Sequence, residues 1–227
     1  MSKMVIFDMD GVIIDSEPLH FQVDQLVMRK LGVFISHEEL EQFVGMTNPE
    51  MWAQLKWKYN LSEDVDKIID FQLSTKIKLL EESHIEPIEG VVDLIRQLKI
   101  NKIKIGLASS SPRRFIETVL NKFHIIHYFD CIVSGEEVPK GKPAPDIYRK
   151  AAELVGVNES ECTVIEDSRN GVLSAKAACM KCIGFRNPNS GNQDLSGADM
   201  IVEVMKEIHI SKKCSDVIVR VVRNNDK

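Results

Sequence analysis

Between residues 102 and 202, short apolar runs alternate with amphipathic stretches, and this alternation restricts the chain to few folds. Residues 102–108, 129–134, 162–165, 181–185 and 199–202 read as strands. Residues 90–98, 111–120, 145–155 and 168–178 carry the three- and four-residue spacing of helices. Strands alternating with helices predict a mainly parallel sheet covered on both faces. A further strand, Val5-Ile6-Phe7 and its neighbours at residues 4–8, stands far upstream. Residues 16–83 separate it from the rest and hold only helical patterns. The economical model is an α/β doubly wound sheet interrupted after its first strand by an all-helical cap. Residues 1–14 and 85–210 form the core, 15–84 the cap, and 211–227 an extension whose structure the sequence leaves open.

Local signals place several helix starts. Ser36 with Glu39 and Thr47 with Glu50 are capping-box pairs. Ser62, followed by Glu63 and Asp64, reads as the cap of the next helix. Ser111-Pro112 reads as an N-cap followed by proline at the first helical position.

The carboxyl ends of the strands carry the chemistry. The first ends on Asp8-Met9-Asp10-Gly11, another on Ser109-Ser110-Ser111, and a third on Glu166-Asp167. Between the last two lies Pro139-Lys140-Gly141-Lys142-Pro143, a lysine-rich loop. In a parallel sheet all these tips gather at one edge, where open α/β sheets bind ligands. Clustered carboxylates repel one another and require a hard cation, and oxygen ligands suit Mg²⁺. Lysine and hydroxyls suit a phosphate. The combination predicts metal-assisted phosphoryl transfer with a carboxylate nucleophile. Each element alone has a plainer explanation: Asp8 and Asp10 as turn residues, Ser109 as a helix cap, Lys142 as a solvated loop lysine, Asp167 as a cap for the helix from residue 168.

Charge and cysteine content narrow the partners. A net charge of −5 argues against general nucleic-acid binding. No apolar run approaches the roughly 20 residues that cross a bilayer. Asp8 and Asp10 interrupt the stretch where a signal peptide needs its apolar centre, so a cytoplasmic protein is expected. Five irregularly spaced cysteines make a poor disulfide framework, and Cys179-Met-Lys-Cys182 follows a helix rather than opening one. The oligomeric state is not legible, and a monomer is compatible with the sequence.

In Asp8-Met-Asp10-Gly11, Ala108-Ser109, Lys142-Pro143 and Glu166-Asp167-Ser168, the chain resembles the haloacid dehalogenase-like hydrolase superfamily. It is closest to the helical-cap branch of sugar phosphatases and β-phosphoglucomutase-like proteins, over residues 4–208. The resemblance implies a Rossmann-like core, Asp8 as the nucleophile forming an aspartyl-phosphate, and Asp10 as general acid and then base. It implies Ser109 and Lys142 on the phosphoryl oxygens, with Ser110 beside them. It implies Mg²⁺ on Asp8, the Asp10 carbonyl and Asp167, with Glu166 as a closer or outer partner. His20, Asn48 and Arg113 are candidate substrate contacts. The cap segment Gly45-Met46-Thr47-Asn48 has Asn48 where the mutases carry an arginine for a second phosphate, and residues 44–54 contain no basic side chain. A phosphatase for a small sugar or polyol phosphate is therefore expected, with a phosphosugar mutase as the alternative. A phospho-receiver or non-catalytic binding protein is a remoter one, since a receiver needs neither the large cap nor the second aspartate.

Overall fold

The computed structural model describes residues 2–43, 48–213 and 216–222. In chain order the elements begin with β1 (Met4–Phe7), α1 (Glu17–Lys30), α2 (His37–Glu41), α3 (Asn48–Tyr59) and α4 (Val65–Glu82). There follow α5 (Val91–Ile100), β2 (Lys104–Ser109), α6 (Arg113–Lys122), β3 (Cys131–Ser134), α7 (Asp146–Val155) and β4 (Cys162–Glu166). The chain continues through α8 (Arg169–Ala177), β5 (Lys181–Phe185), β6 (Met200–Val202), β7 (Ile208–Lys213) and β8 (Asp216–Val221). It divides into two compact units, Met1–Asp15 with Ile85–Lys227, and Ser16–His84.

The first unit is built on a parallel sheet of order β3-β2-β1-β4-β5-β6 among the described residues. β1 sits in the middle and is paired on both sides: Ile6 opposes Gly106 and Val164, and Phe7 opposes Leu107 and Ile165. A strand covered on both faces needs apolar residues at consecutive positions, not alternating ones. Met4, Val5, Ile6 and Phe7 are all fully buried. The amphipathic α7 packs Ile147, Tyr148, Ala151 and Ala152 into the core formed with Met4, Ile6, Ala108 and Val164. Gly156, at φ +71°, ends α7 in the left-handed conformation that glycine tolerates. Among the described residues the extension folds with those just before it into an antiparallel hairpin, β7 on β8, in a sheet separate from the main one.

The second unit contains α1 to α4. The Ser36 hydroxyl caps α2 by accepting from the Glu39 N–H at 3.2 Å. The pairing read for Thr47 lies outside the described residues. Ser62 does not cap α4; the N-cap is Asp64. The Lys56 ammonium donates to the Ser62 and Glu63 carbonyls and holds that segment as a connection, so the helix starts later. Helical spacing put Gln72 on the apolar stripe of α4, and the residue is buried there because its amide donates to Asp24 of α1 at 2.5 Å. Among the described residues no helix is long and apolar enough to cross a membrane.

Because β1 anchors the sheet on both sides, truncating it should be costly. Ile6→Ala is expected to destabilise the protein by about 2–5 kcal/mol, seen as a lower urea midpoint with an unchanged slope.

Candidate active site

In this sheet order the chain leaves β1 toward β2 and β3, then crosses to β4 on the other side of β1. The crevice at the carboxyl ends of β1 and β4 is the topological switch point. The register brings Asp8 there, since its N–H donates to the Ile165 carbonyl at 3.0 Å, level with the tip of β4. Beyond it the backbone curls: the Met9 carbonyl accepts from the N–H groups of Val12, Ile13 and Ile14 at 3.2, 2.8 and 3.1 Å. Gly11 has φ +76°, and a Cβ there would lie 1.9 Å from the Asp167 Oδ2. The position needs glycine both for its conformation and to let Asp167 approach.

Lys142 is the centre of the site. Its buried ammonium lies 2.9 Å from Asp8 Oδ1 and 2.7 Å from Glu166 Oε1, and donates to the Ala108 carbonyl at 3.2 Å. Lysine has three N–H donors, and all three are used. The loop carrying it is fastened to α8 by the Ser174 hydroxyl, which donates to the Ala144 carbonyl at 2.6 Å. Tyr148 of α7 donates its phenol to the same Glu166 oxygen at 2.9 Å. The other oxygen, Oε2, accepts from the backbone N–H and hydroxyl of Ser168, both at 2.9 Å. Four donors therefore occupy the Glu166 carboxylate, making it an anchor for Lys142. Gly171 leaves room for it: a Cβ there would sit 1.6 Å from Glu166 Oε1.

Asp10 is held from the tip of β2. The Ser111 hydroxyl donates to Asp10 Oδ2 at 2.7 Å, and Ser109 approaches the same oxygen at 3.4 Å. This corrects the reading of Ser111 as a helix cap. The N-cap of α6 is Pro112, whose carbonyl accepts from Phe115 and Ile116. Proline in an extended conformation fills that position and leaves the Ser111 side chain for Asp10.

A segment that sequence reasoning missed completes the edge. After β5, Asn187 donates to the Gly11 carbonyl at 3.0 Å, Asn189 donates to Asp15, and the Ser190 hydroxyl donates to Asp167 Oδ2. Three polar side chains from one short turn thus tie both acidic loops together. The only sequence signal was the Asn-Pro-Asn-Ser cluster itself, which reads as an ordinary turn.

The charges do not balance. Asp8, Asp10, Glu166 and Asp167 face the single ammonium of Lys142. Burial pushes the Asp8 carboxyl well above the ordinary range; Lys142 opposes this, and Glu166, Asp167 and Asp10 add to it. Burial, then the Glu166 charge, push Asp167 up to about 7 against the Ser190 hydrogen bond and Lys142. Burial pulls the Lys142 ammonium down, but Asp8 and Glu166 outweigh it and hold it above the usual lysine range. Oxygens of Asp8, Glu166 and Asp167 lie within 4.8 Å of one another. A buried, all-oxygen, charge-deficient set fits a hard divalent cation. Within this set Glu166 already accepts from four donors, which leaves the oxygens of Asp8 and Asp167 better able to meet such an ion.

Within the sheet-bearing unit, Ser110 and Arg113 stand apart from this cluster. Ser110 is exposed, with its main chain against Gly135. Arg113 donates to the Ile132 carbonyl at 2.8 Å and lies 3.4 and 3.5 Å from Glu117 and Glu137, so its guanidinium is engaged in holding α6 to β3. His20 lies in the first turn of α1 and Asn48 at the exposed start of α3, both in the Ser16–His84 unit. Gly45, Met46 and Thr47 lie outside the described residues. Cys131, Cys162, Cys179 and Cys182 are free thiols. Burial pushes Cys131 up to about 11 and Cys162 up to about 12, which leaves both inert.

Residues 5–185 match the family model described as haloacid dehalogenase-like hydrolase. The chain belongs to this family. Among haloacid dehalogenase-like hydrolases it is 35% identical to hexitol phosphatase B of Escherichia coli (strain K12), over 82% of this chain and 85% of that one. It is 32% identical to β-phosphoglucomutase of Bacillus subtilis (strain 168), over 91% of both chains. The crystal structure of CbbY from Rhodobacter sphaeroides in complex with phosphate superposes with a TM-score of 0.83 at 25% identity, covering 91% of this chain and 96% of that one.

The raised carboxylates give this hydrolase a testable electrostatic signature. An acid whose folded-state pKa is raised contributes stability that is present below the unfolded value and lost as pH rises through about 7 for Asp167. A cation that binds the ionised form relieves that loss. The rise in Tm on adding MgCl2, relative to EDTA, should therefore be larger at pH 8 than at pH 5, and should shrink in Asp167→Asn. An equal rise at both pH values, measured by scanning fluorimetry, would count against a carboxylate cation site.

Proposed function

We propose that this enzyme is a Mg²⁺-dependent phosphatase for a small phosphorylated sugar or polyol, acting through an aspartyl-phosphate on Asp8. The reading is carried by one observation: Asp8 Oδ1 rests 2.9 Å from Lys142 while Asp10 is held separately by Ser111. One carboxylate is kept beside a cation, as an ionised nucleophile requires, and the other takes its hydrogen bond from a neutral hydroxyl, which favours ionisation less than an ammonium would. The names of hexitol phosphatase B and β-phosphoglucomutase support a sugar- or polyol-phosphate substrate.

In the proposed reaction an Asp8 oxygen bonds to phosphorus and the phosphorus–oxygen bond to the alcohol breaks. Asp10 gives its proton to the departing alkoxide. Asp10, now ionised, takes a proton from water as the water attacks the acyl phosphate. The products are inorganic phosphate and free Asp8. Lys142 neutralises charge on the phosphoryl oxygens, and Ser109 donates to them. Bound Mg²⁺ supplies further charge neutralisation between the anionic nucleophile and the phosphate.

The similarity to β-phosphoglucomutase keeps a mutase as the second reading. A bisphosphate intermediate needs a second cationic grip, and residues 44–54 supply no basic side chain, which favours hydrolysis.

The test is phosphate release from a panel of hexitol and hexose phosphates with MgCl2. Turnover is expected to disappear with EDTA and to fall by more than about 10³-fold in Asp8→Asn. Turnover indifferent to Asp8→Asn would defeat the proposal. With β-glucose 1-phosphate and a trace of the 1,6-bisphosphate, glucose 6-phosphate accumulating faster than free phosphate would favour the mutase.

A further inference from the structure

One firmly mounted residue in the site takes no part in the reaction as written. Ser111 is nearly buried, with 9% of its surface exposed. Its carbonyl accepts from the Ser134 hydroxyl at 2.8 Å, and its N–H donates to the Ser109 hydroxyl at 3.0 Å. Ser109 and Ser134 are themselves fully buried at the ends of the paired strands β2 and β3. Pro112 fixes the chain immediately after it. The backbone of Ser111 is thus clamped on both sides, and its hydroxyl has one acceptor, Asp10 Oδ2 at 2.7 Å.

We propose that Ser111 is the positioning residue for Asp10, fixing the plane of its carboxyl so that Oδ1 faces the departing alcohol. A hydroxyl donating to Oδ2 directs the proton of the acid to the other oxygen. Without it the Asp10 carboxyl is less restrained about its terminal torsion, which is broad for a carboxylate, and the 3.4 Å approach of Ser109 to the same oxygen is a weaker restraint. The cost falls on proton delivery to the leaving group, not on attack at phosphorus. This inference rests on Asp10 acting as the general acid.

Leaving-group dependence separates the roles. The specificity constant kcat/KM covers steps up to departure of the alcohol, so later hydrolysis of the acyl phosphate does not enter it. Phenyl phosphate needs a proton at its leaving oxygen more than p-nitrophenyl phosphate does. With the full-length enzyme and MgCl2, Ser111→Ala should lose roughly tenfold more kcat/KM on phenyl phosphate than on p-nitrophenyl phosphate. Ser111→Thr, which keeps the hydroxyl, should recover most of the loss. Ser111→Cys, close in size but a weak donor, should behave as the alanine variant and serves if alanine compromises folding. Equal losses on both esters, or none, would overturn the inference. Asp10→Asn is the control for the acid itself: if it shows no leaving-group dependence, the acid assignment fails. If it does while Ser111→Ala does not, only the role of Ser111 fails.

Discussion

One buried ion pair network sets the terms for the rest of the site. Lys142 binds Asp8 and Glu166 at once and compensates both buried carboxylates. Removing one member of such a network leaves an uncompensated charge in a low-dielectric interior, which costs far more than an exposed pair ever contributes. The fold accordingly commits several elements to it. Tyr148 comes from α7, Ser168 from the turn into α8, and Ala108 from β2. Burial and Glu166 keep the Tyr148 phenol far above its ordinary range, so it stays a permanent donor. The result is an oriented ammonium whose position does not depend on a ligand.

The sheet explains why these groups meet. Two chain segments distant in sequence, ending at Asp8 and at Asp167, become neighbours because β4 pairs directly with β1. Parallel pairing puts both loops on the same edge. Main-chain donors and glycines then let the acids approach more closely than side chains would. The repulsion so created is compensated only in part by Lys142, and the remainder is what a cation would satisfy. That unsatisfied repulsion is what makes Asp167 reluctant to ionise.

What was readable in the sequence was whatever lies along a strand. The tips at Asp8, Ser109 and Glu166-Asp167 were visible because buried parallel strands are short apolar runs with sharp ends. Lys142 was visible because a Lys-Gly-Pro loop interrupts helical periodicity. Contacts between loops were not. Ser111 followed by proline looks like a helix cap, and the local rule was satisfied by the wrong residue, since proline itself took the capping position. Ser62 misled in the same way, because the Lys56 ammonium from the preceding helix claimed the carbonyl of Ser62 itself and that of Glu63. The turn at residues 187–190 carries no periodicity, and its three hydrogen bonds depend on where β5 happens to end. Asn48 and His20 sit in the other unit, where no strand register fixes their partners.

The Ser16–His84 unit is inserted between two segments of the first unit that bond to each other. Ile14 bridges Pro87, and the Ile88 N–H donates to the Ile13 carbonyl at 2.9 Å. Both ends of the insertion are therefore stitched together by backbone of the sheet-bearing unit. For that unit the whole insertion is one loop whose closure has already been made, and closure entropy grows only slowly with loop length. Closure made by the sheet-bearing unit's own backbone lets the helical segment change in length and sequence while the carboxylates and their lysine stay fixed.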